Sequence, residues 1–353
     1  MKKILCLIDS LGSGGAQRQL VGLASMLQEQ GNNVEVLWYH KNDFYKKELD
    51  ENSVPYKNIV RENPITKLYA VYKEIKRYKP DTLIAYIDGP TIISCLLKIF
   101  GLKYRLIVSE RNTTQSLSLK ERLKFFLYRW ADSIVPNSYS QERFIKEHYP
   151  NLSKKIVTIT NFTDTDYFVP LKDKKANEFT NLLVVARVVP SKNVLGFIKA
   201  IKTVVDKGYI LLVNWFGKPF TQEYYDECIS LIKTLNLENV FMIKKETSDI
   251  RTEYQKADVF CLPSFYEGYP NVICEAMSCG LPILCSNVCD NATIVKNEYN
   301  GYLFDPTNIN DIENKIIEFI DSNELQEMRL RSRKLAEYLF SKDVFFKKYQ
   351  DII

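Results

Sequence analysis

Residues 259–286 read VFCLPSFYEGYPNVICEAMSCGLPILCS. Residues 259–262 are apolar on both faces, a turn-rich loop follows, residues 271–279 carry a helical pattern, and 283–285 are apolar again. A short strand, a loop, a helix and another short strand make one βαβ unit. Strands with no polar face belong to a parallel sheet covered on both sides. The same alternation extends outward. Strands are expected at 182–186, 210–216 and 240–243, with helices near 194–206, 221–236 and 308–321. A separate series fills the first half: strands at 4–8, 34–38, 83–86, 106–108, 134–135 and 156–159, with helices at 16–30, 91–100 and 119–130 among them. The fold class is therefore α/β, with two Rossmann-like doubly wound domains at 1–162 and 163–340, whose strand carboxyl ends and helix starts face a central cleft. Residues 163–178, polar and charged with a proline at 170, are the expected linker. The final segment, 341–353, is an amphipathic helix with Val344, Phe345, Tyr349 and Ile352 on one face.

Bulk properties agree with two domains. A chain of 353 residues exceeds one ordinary core. With 46% hydrophobic and 26% charged residues it has ample apolar surface to offset chain entropy, which argues against disorder. No run approaches the roughly 18 apolar residues of a membrane span. The opening MKKILCLIDS stops being apolar at Asp9, too early for a secretory leader, and reads as a buried first strand. The eight cysteines form no CxxC pair and sit mostly in apolar runs, as buried reduced thiols of a cytosolic protein do. Cys274, Cys279, Cys285 and Cys289 match no zinc spacing. Charge is uneven: residues 1–160 hold 25 Lys and Arg against 16 Asp and Glu, so an acidic surface or acceptor is expected for that half.

Three stretches carry candidate chemistry. After the first strand, Asp9–Gln17 is glycine-rich, and Gly14 and Gly15 would let backbone amides approach an anion at a helix start. It is not a dinucleotide fingerprint, because Gln17 stands where the third glycine belongs and Trp38-Tyr39-His40 replaces the acidic ribose partner, which disfavours a dehydrogenase. In the second half, a strand delivers Arg187 to its carboxyl end and Lys192 follows before a helix, a planar fork and a point charge suited to a diphosphate. In the opening stretch, Pro270 stands at the expected first helical position. That helix start would offer the amides of Asn271 and Val272 to a phosphate, with Glu267 and Gly268 in the loop before it and Glu275 a turn inside. Carboxylates accept from hydroxyls, so one glutamate can hold a sugar and the other a ribose.

Glu267 and Glu275 within EGYPNVICEAMSCGLPI resemble the signature of the retaining glycosyltransferases of family 4, which have the GT-B fold. The GSGGAQ loop, ARVVPSK and Asn300-Gly301-Tyr302-Leu303-Phe304 fall in the family's order, so the resemblance spans the chain. It implies that Glu275 binds the donor ribose, Glu267 contacts the donor sugar, Arg187 and Lys192 hold the diphosphate, and Gly14 and Gly15 belong to a loop closing over the donor. It also implies that the terminal helix at 341–353 returns to the first domain. One departure stands out. Many members carry a histidine near the donor sugar, but this chain has only His40 and His148, neither in that place. Residues 108–113 occupy the equivalent stretch, with Arg111 or Asn112 as the substitute sugar contact.

The expected activity is transfer of a hexose or N-acetylhexosamine from a nucleotide-diphosphate sugar, UDP-sugar favoured, to a lipid-linked saccharide in polysaccharide assembly. Cations and a helix start would replace any metal. Glu267, Arg187 and Lys192 are the expected catalytic residues. The rival readings are a metal-dependent transferase using Asp164 and Asp166, and a non-catalytic two-lobed sugar-binding protein. Residues 118–131 put Leu119, Leu123, Phe126, Leu127 and Trp130 along one face, with Lys120, Arg122, Lys124 and Arg129 nearby. That is either a core-facing helix or one resting on an anionic membrane, which would place a cytoplasmic enzyme peripherally on the inner face of the membrane.

Overall fold

The computed structural model describes residues 1–112, 114, 117–172 and 179–353. The chain groups into two compact units, one of residues 1–161 with 345–353 and the other of residues 162–344.

In the first unit β1 (Lys3–Leu7), α1 (Gly15–Glu29), β2 (Asn33–Trp38), α2 (Lys46–Glu51), β3 (Tyr56–Asn58), α3 (Pro64–Tyr78), β4 (Thr82–Tyr86), α4 (Asp88–Ile99), β5 (Arg105–Glu110), α5 (Leu119–Leu127), β6 (Ser133–Pro136) and α6 (Tyr139–His148) follow one another. The strands form a parallel sheet in the order β3-β2-β1-β4-β5-β6, with Leu5 of β1 in register with Glu35 and Leu83. Leu5, Leu7, Leu83, Leu106 and Val108 join Val71, Ile75, Cys95 and Phe125 in one buried cluster. Each such side chain removed from water stabilises the fold by about 1.5–3 kcal/mol. The expected strand at 156–159 is not one. It runs beside β6 with a single bridge from Ile156 to Ile134 and two backbone bonds (Val157 N to Ile134 O at 2.9 Å, Ile159 N to Pro136 O at 3.1 Å), too few to extend the ladder.

In the second unit β7 (Thr180–Val185), α7 (Val194–Asp206), β8 (Leu211–Phe216), α8 (Gln222–Thr234), β9 (Phe241–Lys244), α9 (Ile250–Lys256), β10 (Val259–Leu262), α10 (Asn271–Ser278), β11 (Ile283–Ser286), α11 (Asn291–Ile294), β12 (Gly301–Phe304), α12 (Ile309–Ile320) and α13 (Leu325–Phe340) follow, and α14 (Lys342–Gln350) begins in this unit but has most of its residues in the first. Its sheet is again parallel, ordered β12-β11-β10-β7-β8-β9. One buried cluster gathers Val184, Phe197, Ile201, Trp215 and Phe241, and another gathers Leu183, Phe260, Ile273, Met277 and Phe340. The first part of the expected linker is built into this unit. The Thr163 amide donates to Phe340 O at 2.8 Å, Phe168 is buried, and Arg333 Nη1 of α13 donates to the carbonyls of Thr165, Phe168 and Ser278 at 3.0, 2.8 and 2.7 Å. Residues 173–178 of that linker lie outside the described residues. Asp164 accepts from the Asp166 and Tyr167 amides and pairs with Lys342 at 2.6 Å, so it closes a turn.

Residues 345–353, most of them in α14, belong to the first unit. Phe345 and Tyr349 are buried, Arg105 Nε donates to Ile352 O at 2.7 Å, and Lys2 Nζ donates to Ile353 O at 2.8 Å. Arg111, at the end of β5, is the hub. Its Nε donates to Ser109 Oγ at 2.8 Å and its Nη1 to Asn161 Oδ1 at 2.9 Å. Its Nη2 donates to Tyr86 Oη at 2.7 Å and Tyr349 Oη at 2.8 Å. Four of its five N–H groups are therefore engaged within the fold. Arg111, expected as a sugar contact, is engaged by the fold and fastens the terminal helix.

The α5 expectation also changes. Leu127 is buried, but Leu119, Leu123 and Phe126 are 85%, 55% and 46% exposed, so most of the apolar stripe faces outward. Lys124 instead turns inward, 2% exposed, to Glu110 Oε2 at 2.8 Å and Asp88 Oδ1 at 3.1 Å. Tyr128 donates to the other Glu110 oxygen, and Lys120 reaches Asp88 Oδ2 at 2.8 Å. Burial alone would lower the Lys124 pKa, but Glu110 and Asp88 outweigh it and hold it above the ordinary lysine value. Burial would likewise raise that of Asp88, but Lys120 and Lys124 bring it below the ordinary carboxylate value.

Two predictions follow from these networks. Replacing Lys124 by Ala leaves the buried Glu110 without its cation and costs about 3–5 kcal/mol, whereas Lys124→Met combined with Glu110→Gln costs far less, measured by urea unfolding. Because the Lys124 pKa is raised, its contribution is full below about pH 10 and fades as pH climbs through the folded value. Because that of Asp88 is lowered, its share is full above about pH 4 and fades on acidification. The contribution of this pair is then flat between those limits, and both dependences weaken in the double variant, whose stability should vary less at the two pH extremes. Separately, Tyr349→Phe removes a bond to a charged donor and lowers stability by about 1.5–3 kcal/mol, and its effect is not additive with that of Arg111→Met.

Candidate functional site

In a doubly wound sheet the strand order reverses between two neighbours, and the loops leaving their carboxyl ends part there. In the second unit those neighbours are β7 and β10. The loop after β7 carries Arg187 and Lys192, and the loop after β10 carries Glu267 and Gly268.

Past β7 the chain keeps to the β8 side, with Ala186 N bonded to Phe216 O at 3.0 Å and Val188 N to Lys218 O at 3.1 Å. Gly217 makes this passage possible, since a Cβ there would lie 1.9 Å from the Ala186 carbonyl oxygen. Arg187 projects from this turn, exposed, and carries no ion pair among the described residues. Pro190–Lys192 form a 3₁₀ turn and Asn193 follows in the left-handed region at φ 56°, its side-chain amide donating to Pro306 O at 2.7 Å. Asparagine tolerates that conformation better than most residues. This reversal brings the Lys192 ammonium onto Glu267 Oε1 as an ion pair.

From the other side, Phe265 N donates to Ser191 O at 2.9 Å, tying the two loops together. The buried Ser264 donates from Oγ to Glu267 Oε1 at 2.6 Å, and Ser286 Oγ donates to the Ser264 carbonyl at 2.6 Å. Glu267 thus has a fixed carboxylate with a cation and a hydroxyl on one oxygen. Pro270 is the residue before α10 and not its first residue: with φ −77° and ψ 110° it is extended, and the helix opens at Asn271 and Val272. That start has no side-chain cap and no acidic residue in its first turn, so its positive end is uncompensated by its own sequence. Glu275, a turn further, is 5% exposed and accepts from Tyr254 Oη at 2.9 Å through Oε2. Lys192 and Glu267 are therefore brought together, with Arg187, Gly268, Asn271 and Val272 on the same two connections and Glu275 deeper in α10.

The remaining candidates lie in the first unit. Gly14 precedes α1 with its amide on Gly12 O at 2.8 Å, and Gly15 is the first helical residue. Asn112 is exposed after β5, and Thr113 lies outside the described residues. All eight cysteines are free thiols, seven of them buried. Burial pushes Cys279 up to about 12 and, with the charge of Glu267, raises Cys285 as well, which keeps both protonated. Among the described residues no three His, Cys, Asp or Glu groups are placed to share a metal. Sequence reasoning did not assign roles to Ser264, Tyr254, Asn193 or Gly217. Of these only Ser264, three residues before Glu267, had a positional signal.

Comparison with known proteins bears on this arrangement. Residues 13–167 match the model of "Glycosyltransferase Family 4" and residues 170–336 that of "Glycosyl transferases group 1". A Campylobacter jejuni N-acetylgalactosamine-N,N'-diacetylbacillosaminyl-diphospho-undecaprenol 4-alpha-N-acetylgalactosaminyltransferase is 28% identical over 81% of each chain. An Escherichia coli UDP-Gal:alpha-D-GlcNAc-diphosphoundecaprenol alpha-1,3-galactosyltransferase is 27% identical over 78% of this chain and 76% of its own. Among solved structures, Anabaena HepE in complex with UDP superposes with a TM-score of 0.86 over 99% of both chains at 17% identity, a likeness of fold. With two matched models covering both units and relatives aligned across most of their length, the chain belongs to the family 4, group 1 glycosyltransferases and is an enzyme of that class.

Proposed function

We propose that this enzyme transfers a hexose or N-acetylhexosamine, with retention of anomeric configuration, from a UDP-sugar to a lipid-linked saccharide. The observation that carries the reading is the meeting of Lys192, Ser264 and Glu267 at the β7/β10 reversal, with Arg187 on the same connection as Lys192 and the uncapped start of α10 following the Glu267 loop. The names of the E. coli and C. jejuni relatives support the acceptor class, both ending in a diphosphate-linked undecaprenol. UDP-Gal in the E. coli name and the UDP held by HepE support the uridine nucleotide.

Breaking the anomeric C–O bond leaves charge on a nucleoside diphosphate. Arg187, Lys192 and the amides of Asn271 and Val272 would stabilise that charge without a metal. Lys192 would exchange Glu267 for the diphosphate, which frees the Glu267 carboxylate to accept from donor-sugar hydroxyls while Ser264 keeps it aimed. Glu275 would accept from the ribose. The acceptor oxygen forms the new bond on the face the diphosphate leaves, and its proton passes to the departing phosphate oxygen. No histidine base is then required.

Among the described residues no helix is long and apolar enough to cross a membrane. The outward stripe of α5 supports a peripheral, cytoplasmic-face position. Leu119, Leu123 and Phe126 project at helical spacing, Arg122 and Arg129 flank them, and the Arg129 guanidinium lies 4.0 Å over the Phe126 ring. Apolar side chains ringed by cations suit an anionic lipid surface.

Incubation with a panel of nucleotide sugars should release nucleoside diphosphate from a uridine donor, at an unchanged rate in excess chelator. Glu267→Ala should lower kcat by about 10²–10³-fold in a protein that remains folded, and near-normal transfer in that variant would remove the assignment. In flotation on phosphatidylglycerol vesicles at low salt the protein should rise with the lipid and Leu123→Glu with Phe126→Glu should not. A wild-type protein left at the bottom refutes the membrane arm and leaves the donor site untouched.

A further inference from the structure

Tyr254 is fully buried on α9, its ring packed edge-on to Phe168 at 6.0 Å and tilted against Phe260 at 5.8 Å. The helix that carries it is fixed at both ends. Asp249 caps its start through the Thr252 amide at 3.3 Å, and Gln255 Nε2 donates to Val169 O at 2.8 Å. An aromatic cluster of this kind needs no hydroxyl, and a phenol placed in one is normally given a partner. Here the partner is the Glu275 carboxylate, itself nearly buried on the neighbouring α10.

We propose that Tyr254 is a positioning residue for Glu275 and that its hydroxyl sets the enzyme's preference for a ribonucleotide over a deoxyribonucleotide donor. The inference rests on the reading of Glu275 as the ribose partner. A carboxylate on a helix turns about its terminal bonds. A hydrogen bond donated to Oε2 from a ring that cannot move fixes the plane of the group and therefore the directions in which it can accept from a vicinal diol. Without the hydroxyl, that restraint on the Glu275 carboxylate plane is lost. Contacts to the diphosphate, made by Arg187 and Lys192 on other elements, are independent of it.

The test is calorimetric titration of UDP, 2′-deoxy-UDP and 3′-deoxy-UDP into wild type, Tyr254→Phe and Phe168→Leu. Wild type should prefer UDP over the deoxy compounds by about tenfold, the loss of a hydrogen bond to a charged group. Tyr254→Phe should shrink that ratio to within about threefold and raise the donor KM with little change in kcat. Phe168→Leu loosens the same cluster but keeps the hydroxyl, so it should lower the melting temperature and shrink the ratio less than Tyr254→Phe does. A Tyr254→Phe protein that retains the wild-type ratio overturns this inference alone. Equal binding of all three nucleotides by wild type removes Glu275 from the ribose and the inference with it.

Discussion

A buried or half-buried carboxylate must be given partners, and the position of Glu267 is the constraint around which the second unit is arranged. Ser264 and Lys192 meet the same oxygen from loops that leave different strands. For that to happen β7 and β10 must be neighbours, the first loop must double back through Asn193, and the second must be held by Ser286 and the Phe265 amide. Gly217 is part of the same requirement, because any side chain there would push the Arg187 turn away from β8. Parallel order, turn chemistry and close backbone approach all converge on one acid.

The first unit answers the same physical demand without an evident ligand. Glu110, 1% exposed, sits at the end of β5 with Lys124 and Tyr128 on its two oxygens, and the next residue, Arg111, engages the opposite set of partners. Two adjacent charged residues at a strand end thus fasten α5 on one side and the terminal helix on the other. Inward commitment of Lys124 also explains why the apolar residues of α5 face outward: the helix is oriented by its buried charge pair, and its larger apolar stripe is left over.

Strands and their alternation with helices were legible because a parallel sheet needs side chains that are apolar on both faces, as in Cys6-Leu7 or Phe260-Cys261. The segment 156–159 carries the same signature and is not a strand, since pairing depends on which neighbour is available and on how the chain arrives. That Arg187 and Lys192 follow one strand and Glu267 follows another could be read from loop positions alone. Three things could not. Burial of Glu275 depends on α9, whose sequence Ile250–Lys256 gives no sign of facing α10. Arg111 next to Asn112 looks like a polar turn until Tyr86 and Tyr349, 25 and 238 residues away, are placed beside it. The α5 pattern was read as one apolar face because hydrophobic spacing is silent about a lysine that is buried by its partners.

The return of residues 345–353 to the first unit has a consequence for biogenesis. Chain growth places all of residues 162–344 between the last strand of that unit and the helix that Arg111 holds. At ribosomal speed this interval lasts on the order of ten to forty seconds. Throughout it Tyr86 and Arg111 lack their final partner, while the later unit is being synthesised. The earlier half of this protein is thus the last to be finished, and its exposed seam during that delay is where a nascent-chain chaperone or protease would find its opening.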